Sequence, residues 1–298
     1  MDSNLINRYK DIVISIKNKY NYDNNITHLL YIIIPAFIYY YKYNEKMIID
    51  IFNNIEIITN DKELEYVKAY YSSIPKYSGN DIVTSKYIVI NDYNQINLVN
   101  LFDCLVHEFN HAINSYNKEI LIRNNILYLR TGITYNSYNI FDFTPLNKDK
   151  SYILEEIINT RQTETIINII KECNIDDEFL NNIIYALNSE TSINYESNAY
   201  YLENKILNKL LTNKTFISTI DNLRITGDIE DINNWFDNIT GINNSYNKLI
   251  DILNDIINLE LKYDKAKYFK NRILSKIKSK IKDIEYIINI FNNNCNYK

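Results

Sequence analysis

Four glycines and three prolines are few for a chain of 298 residues. Both residue types punctuate the backbone, so their scarcity leaves few sharp turns or flexible linkers and favours a helix-rich fold. Cysteine is equally sparse. Cys104, Cys173 and Cys295 are odd in number, widely spaced and without a CxxC pair, so neither a disulfide framework nor a zinc ribbon is expected. No charge of one sign dominates either: a formal net charge of −5 is mild and argues against nucleic acid as the main partner. Long apolar runs are also missing. The most hydrophobic stretch, Leu29 to Tyr41, is too short to span a bilayer and contains Pro35. The N-terminus has no uninterrupted apolar core of a signal peptide and no small-residue cleavage site. These absences predict a soluble, cytoplasmic chain with neither a membrane nor a nucleic-acid partner.

The residues that are present suit a globular protein. A content of 46% hydrophobic and 23% charged residues is far from a disordered profile, and the length allows one large domain or two lobes around a cleft. Ile, Asn, Lys and Tyr are heavily used, a bias expected of AT-rich coding, so Asn-rich stretches are not read as functional.

Leu5, Ile6, Tyr9, Ile12, Val13 and Ile16 have the spacing of an amphipathic helix over 4–20, and further helical runs cover 27–43 and 47–53. Ile55 to Thr59, Tyr66 to Ser72 and Tyr87 to Ile90 are β-branched or aromatic runs bounded by turn formers, predicting three strands of a small sheet with Pro75 and Gly79 in the loop before the last. A mostly buried helix is expected from Gln95 to Tyr116. A hairpin follows, with 126–130 and 133–135 flanking Thr131-Gly132. Pro145 breaks the chain. From 151 onward the periodicity is almost wholly helical, interrupted near 174–177, 188–194, Gly227 and Gly241. The expected class is α+β and predominantly helical, with a sheet-bearing N-terminal lobe over 1–145 and a helical C-terminal lobe over 146–298. A Lys-rich stretch from Tyr263 to Lys282 reads as a solvated helix face.

The chemistry concentrates at His107-Glu108-Phe109-Asn110-His111. Residues four apart share a helix face, with Cβ atoms roughly 5–6 Å apart, so two imidazoles at this spacing can converge on one tetrahedral Zn²⁺. Glu108 projects from the adjacent side, where it can take a proton from a metal-activated water. Only three histidines exist in the chain, and two of them flank this Glu within an apolar segment. A third ligand is needed. His28 lies far upstream and no His follows His111, so a downstream carboxylate is expected. Glu155 and Glu156 are the candidates, at the start of a helix after Pro145. They flank the apolar stripe of Leu154, Ile157 and Ile158 about equally, and projection does not separate them.

His-Glu-Phe-Asn-His-Ala-Ile, followed some forty-five residues later by Leu-Glu-Glu-Ile-Ile-Asn-Thr, resembles the gluzincin group of zinc metallopeptidases. The resemblance covers about residues 85–165. It implies a zincin-like architecture, with a small sheet and active-site helix in one lobe and a helical second lobe, and one catalytic zinc ion. It places the ligand carboxylate on Glu156 and Glu155 in the preceding Asn position. The acid that steadies a zinc histidine in that group falls on Thr160, which has no carboxylate, and Asn159 is the hydrogen-bonding substitute. Substrate in such enzymes often lies along an edge strand, here from Val67 to Ser72 or Tyr87 to Ile90. The implied activity is peptide-bond hydrolysis with Glu108 as general base and a peptide or protein as substrate. The alternative is a zinc-binding regulatory or interaction protein with little turnover. An oxyanion donor is drawn from Tyr195, Tyr200 and Tyr201, with Tyr195 preferred. Glu164 reads as a solvated acid, and Cys104 as a small buried hydrophobe rather than a ligand.

Overall fold

The fold is seen in a computed structural model that describes residues 3–42, 44–60, 68–173, 177–189, 200–266 and 268–295. It is mostly helical with two small sheets, an α+β protein as expected. In chain order the first elements are α1 (Ser3–Arg8), α2 (Lys10–Tyr20), α3 (Asn24–Tyr41), α4 (Glu45–Asn54), β1 (Ile55–Asn60), β2 (Ala69–Ser78), β3 (Asp81–Asn91) and α5 (Leu98–Ser115). There follow β4 (Ile120–Arg123), β5 (Ile126–Thr131), β6 (Thr134–Asn139), β7 (Pro145–Asn147), α6 (Tyr152–Lys171) and α7 (Glu178–Ser189). The chain ends in α8 (Tyr201–Leu211), α9 (Lys214–Thr226), α10 (Ile232–Thr240), α11 (Ser245–Lys265) and α12 (Lys270–Cys295). Among the described residues no helix is long and apolar enough to cross a membrane.

Two compact units form, one within 1–116 and 159–194, the other within 117–158 and 195–298. Helix α6 belongs to both, its first turns to the second unit and the remainder to the first.

The first unit is built around α3, which is buried along most of its length from Ile26 to Ile38. Asp23 caps it by accepting the N–H of Ile26 at 2.9 Å. Phe37, Phe52 and Phe109 bring α3, α4 and α5 together, with the rings of Phe52 and Phe109 stacked at 4.0 Å. The expected helix over 4–20 is two helices, because the backbone leaves helical geometry at Tyr9 (φ −106°, ψ 7°).

The sheet of this unit has the order β1-β3-β2, β1 parallel and β2 antiparallel to β3. Two readings of the sequence are corrected by it. Tyr87 to Ile90 lies in the central strand and offers no free edge. Pro75, expected in a loop, sits inside the edge strand β2. Asn91 donates to Lys68 O at 2.8 Å, so with the register of β2 on β3 the odd-numbered residues of β2 turn their nitrogens away from β3. A proline there forfeits no ladder hydrogen bond, which is why an edge strand tolerates it.

The second unit has a four-stranded antiparallel sheet, β4-β5-β6-β7, of which only the β5–β6 hairpin was expected. Its β4–β5 turn is Asn124-Asn125, both at positive φ (50° and 60°), the pattern of a type I′ hairpin. Pro145 opens β7 instead of simply breaking the chain. The helical core of this unit gathers Leu154, Ile157, Leu207, Phe216, Phe236, Leu249 and Phe291, with the rings of Phe236 and Phe291 stacked at 4.7 Å.

Candidate metal centre

Helix α5 starts where Asn97 accepts the N–H of Asn100 at 2.8 Å. From Leu105 onward its side chains are buried on nearly every side, the mark of an interior helix rather than a surface one. His111 is buried and His107 half-buried, and their rings meet edge to face with centroids 4.9 Å apart. Cys104, one turn earlier, is not among the clustered ligand groups. Burial, with Asp103 and Glu108 nearby, pushes its thiol up to about 12, so it stays neutral as the sequence reading of a small hydrophobe expects.

Glu155 and Glu156, which the periodicity left equivalent, meet different partners. One carboxylate oxygen of Glu155 pairs with Arg224 at 2.5 Å and the other accepts the N–H of Ile133 at 2.9 Å. Both members of that ion pair are essentially inaccessible, at 1% and 0% exposure. Gly132, at φ 57° in the β5–β6 turn, has its Cα side filled by the same carboxylate: a Cβ there would collide with the Glu155 carboxylate. Arg130 completes the cluster by donating to the carbonyls of Gly132 at 2.6 Å and Arg224 at 2.9 Å. Glu155 is thereby a buried structural ion.

Glu156 is half-buried, and its carboxylate and the ring nitrogens of His107 and His111 offer ligand atoms that all lie within 4.8 Å of one another. A tetrahedral zinc with bonds of about 2.0–2.1 Å holds its ligands roughly 3.3 Å apart, and this group could hold a metal ion. Two imidazoles and a carboxylate also suit zinc chemically, though other divalent transition metals accept the same donors. The residues fit a metal.

Glu108 is 93% withdrawn from solvent, at 7% exposure, yet its carboxylate is satisfied. Its Oε2 accepts the backbone N–H of Tyr71 at 2.7 Å. Tyr71 is one of the odd-numbered residues of β2, so this donor is one the sheet leaves unused.

Between α5 and α6 lies a buried polar seam. Asn110 Nδ2 donates to Asn159 Oδ1 at 2.8 Å and to Gln162 Oε1 at 3.1 Å, while Asn110 Oδ1 accepts from the Tyr41 hydroxyl at 2.6 Å. Asn114 donates to the same hydroxyl at 2.9 Å and to Gln162 at 3.1 Å. Asn159 donates to the His107 carbonyl at 3.0 Å. Asn159 was expected to steady a zinc histidine; its amide meets the backbone carbonyl of His107. One turn of α6 separates Asn159 from Glu156.

Compared with known proteins, the chain matches no protein family, no curated protein and no solved structure. The candidate centre is carried by its own geometry.

The remaining expected residues fall as follows. His28 is occupied elsewhere, its ring 4.4 Å from that of Phe179 on α7. Glu164 sits half-buried near Arg161 and Asp103, and burial raises its carboxyl above the usual range. Tyr195 lies outside the described residues. Tyr201 is exposed at the start of α8. Tyr200 hydrogen-bonds Tyr152 and lies within electrostatic range of Glu156, and burial, with those neighbours, raises its phenol so that it keeps its proton. Sequence reasoning missed Asn110, Asn114, Gln162 and Tyr41. The available signal was Asn110 and Asn114, amides one turn apart among the apolar residues Phe109, Ala112 and Ile113, which burial obliges to find partners.

Proposed function

We propose that this protein is a zinc-dependent metallopeptidase in which His107, His111 and Glu156 hold one catalytic ion and Glu108 is the general base. The observation that carries the reading is the convergence of these three ligand groups beside a buried Glu108 whose carboxylate is aimed by a backbone amide. Zinc, when bound, supplies a Lewis acid and the acidity that makes a water molecule nucleophilic at neutral pH.

The chain's own residues supply the rest. Glu108 takes the proton of the attacking water and passes it to the departing amine nitrogen, so one carboxylate serves both halves of the reaction. The Tyr71 N–H holds one carboxylate oxygen of Glu108, which orients the base without neutralising it. The outer edge of β2 carries Tyr71 to Glu108, and an extended peptide aligned on that edge presents its backbone to the same carboxylate. Tyr195, or Tyr200 with its protonated phenol, donates to the developing oxyanion.

Glu108→Gln tests the reading. The variant keeps the shape of the side chain and the Tyr71 hydrogen bond, so it should bind zinc stoichiometrically while peptide hydrolysis falls by about 10²–10⁴-fold. Purified wild-type protein without bound zinc after native preparation, or a Glu108→Gln variant as active as wild type, overturns it.

A further inference from the structure

Charge is unevenly spread along this mildly acidic chain. From Lys262 to Lys282 nine residues are Lys or Arg, and Asp264 is the one acid. The remainder of the chain is correspondingly more acidic than its overall −5. This segment covers the end of α11 and the first half of α12, two helices packed side by side in the second unit, so the cations gather around the turn that joins them.

The tip of that turn is apolar. Tyr268 and Phe269 are each 78% exposed, the largest exposures of any described large hydrophobic residue. Leu261 near the end of α11 (53%) and Leu274 in the first turns of α12 (37%) are also exposed. Phe269 adopts φ 66°, a left-handed conformation costly for a bulky side chain. A strained backbone that presents an aromatic ring to water is a feature of functional loops rather than of packing. Around this knob stand Lys262, Lys265, Lys270 and Arg272, all exposed, with Lys270 over the Tyr263 ring at 4.5 Å. Lys276, Lys278 and Lys282 continue the charge along α12, whereas Lys280 is engaged with Asp255 at 2.7 Å.

We propose that the α11–α12 tip docks on an anionic lipid surface, with Tyr268, Phe269, Leu261 and Leu274 entering the headgroup boundary and the surrounding cations meeting acidic headgroups. An apolar knob ringed by Lys and Arg matches the two forces that hold proteins at such interfaces, burial of apolar area and attraction to anionic lipid. Nucleic acid fits less well. It offers stacking to Tyr268 and Phe269 and phosphates to the lysines, but nothing to two exposed leucines, which gain only by leaving water. The expectation of no membrane partner rested on the lack of a spanning segment, and docking of this kind needs none. The proposal is independent of the metal centre.

The test is co-sedimentation of the full chain with vesicles of phosphatidylcholine alone or with about 30% phosphatidylserine, at roughly 50 and 500 mM salt. Binding is expected to the phosphatidylserine vesicles only, and weaker at high salt. Each of Lys262→Gln, Lys265→Gln and Arg272→Gln should lower the partition coefficient about fivefold. Tyr268→Ser with Phe269→Ser should lower it by about tenfold or more without moving the melting temperature, since both rings are already in water. Phe269→Trp should give an emission blue shift on adding anionic vesicles, read against the single native Trp235. No partition onto phosphatidylserine at low salt, or partition indifferent to the double aromatic substitution, overturns the proposal. So does binding of a single-stranded oligonucleotide or polyglutamate where vesicles do not bind. None of these readouts depends on zinc or on Glu108.

Discussion

Replacing Glu155 and replacing Glu156 should break different things, and the difference can be sized. Glu155→Ala leaves the Arg224 guanidinium, at 0% exposure, without its counter-ion. Uncoupling a buried pair in this way costs about 3–5 kcal/mol, and the abandoned N–H of Ile133 adds about 1–3 kcal/mol where water does not reach it. A loss of about 4 kcal/mol or more is a large share of the roughly 5–15 kcal/mol that holds a folded domain together. With a urea m-value of about 2 kcal/mol/M it lowers the unfolding midpoint by roughly 2 M. Glu156→Ala removes a half-buried side chain from a helix surface, a change worth about 0.5 kcal/mol or less. Its effect belongs in zinc affinity, where losing a ligand outweighs the 10–100-fold typical of losing a supporting group. The assay pairs urea melts with competitive zinc titration of chelator-stripped protein. Should Glu155→Ala fail to fold, Glu155→Leu with Arg224→Met replaces the whole pair by apolar groups, a change that is often neutral, and this variant should bind zinc like the wild type. Stoichiometric zinc in Glu156→Ala, or equal loss of zinc from the double variant, refutes the assignment.

Tyr71→Pro removes the N–H that holds Glu108 at a strand position where, as at Pro75, no ladder bond is lost; activity should drop with little change in zinc content, and full activity would show that the amide does not aim the base. Asn110→Leu takes away the amide that Asn159, Gln162 and Tyr41 share, so stability should fall by about 2–4 kcal/mol and zinc affinity by about 10–100-fold, whereas unaltered zinc affinity would remove the seam from the account of the site. Tyr195→Phe and Tyr200→Phe, assayed side by side, should between them contain one variant whose kcat falls about 10²-fold with KM little changed; if neither does, the oxyanion donor lies elsewhere. The Glu203 carboxyl on α8, buried and facing Glu260, is pushed from 4.5 up to about 8, so the folded protein holds a proton that the unfolded chain releases between those values. Stability should therefore decline as pH rises through that window, and Glu203→Gln should flatten the urea midpoint between about pH 5 and pH 9; an unchanged slope would mean that another group titrates.

How legible the fold was depended on which turn signals could be believed. The helices of the first unit and the turns at Gly227 and Gly241 follow from periodicity and from glycines at positive φ, 77° and 69°. Strand β4 was lost because its signal is Asn124-Asn125. In a chain rich in Asn everywhere, that dipeptide does not stand out from composition, although its backbone is the one a two-residue hairpin requires. Pro75 misled for the opposite reason. Proline forbids a ladder donor only when its nitrogen faces a neighbouring strand, and which way it faces depends on the register and on which strand is the edge. Neither is a property of the local sequence.

The candidate site divides along the same line. The spacing of His107, Glu108 and His111 is a local property of one helix, and four residues of separation suffice to bring two rings within 4.9 Å. The choice between Glu155 and Glu156 is not local. Both lie in the first turns of α6, both border the apolar stripe, and no count along the chain distinguishes them. What separates them is Arg224, 69 residues away and itself buried, which pairs with Glu155, whereas Glu156 is the carboxylate grouped with the histidines. An arginine inside a helix that otherwise reads as amphipathic gives no sign in sequence that it is buried. Its burial becomes reasonable only once a buried carboxylate is there to meet it. The motif helix is therefore the part that sequence can specify alone. The proposed third ligand depends on contacts from distant parts of the chain, which sequence spacing alone does not carry.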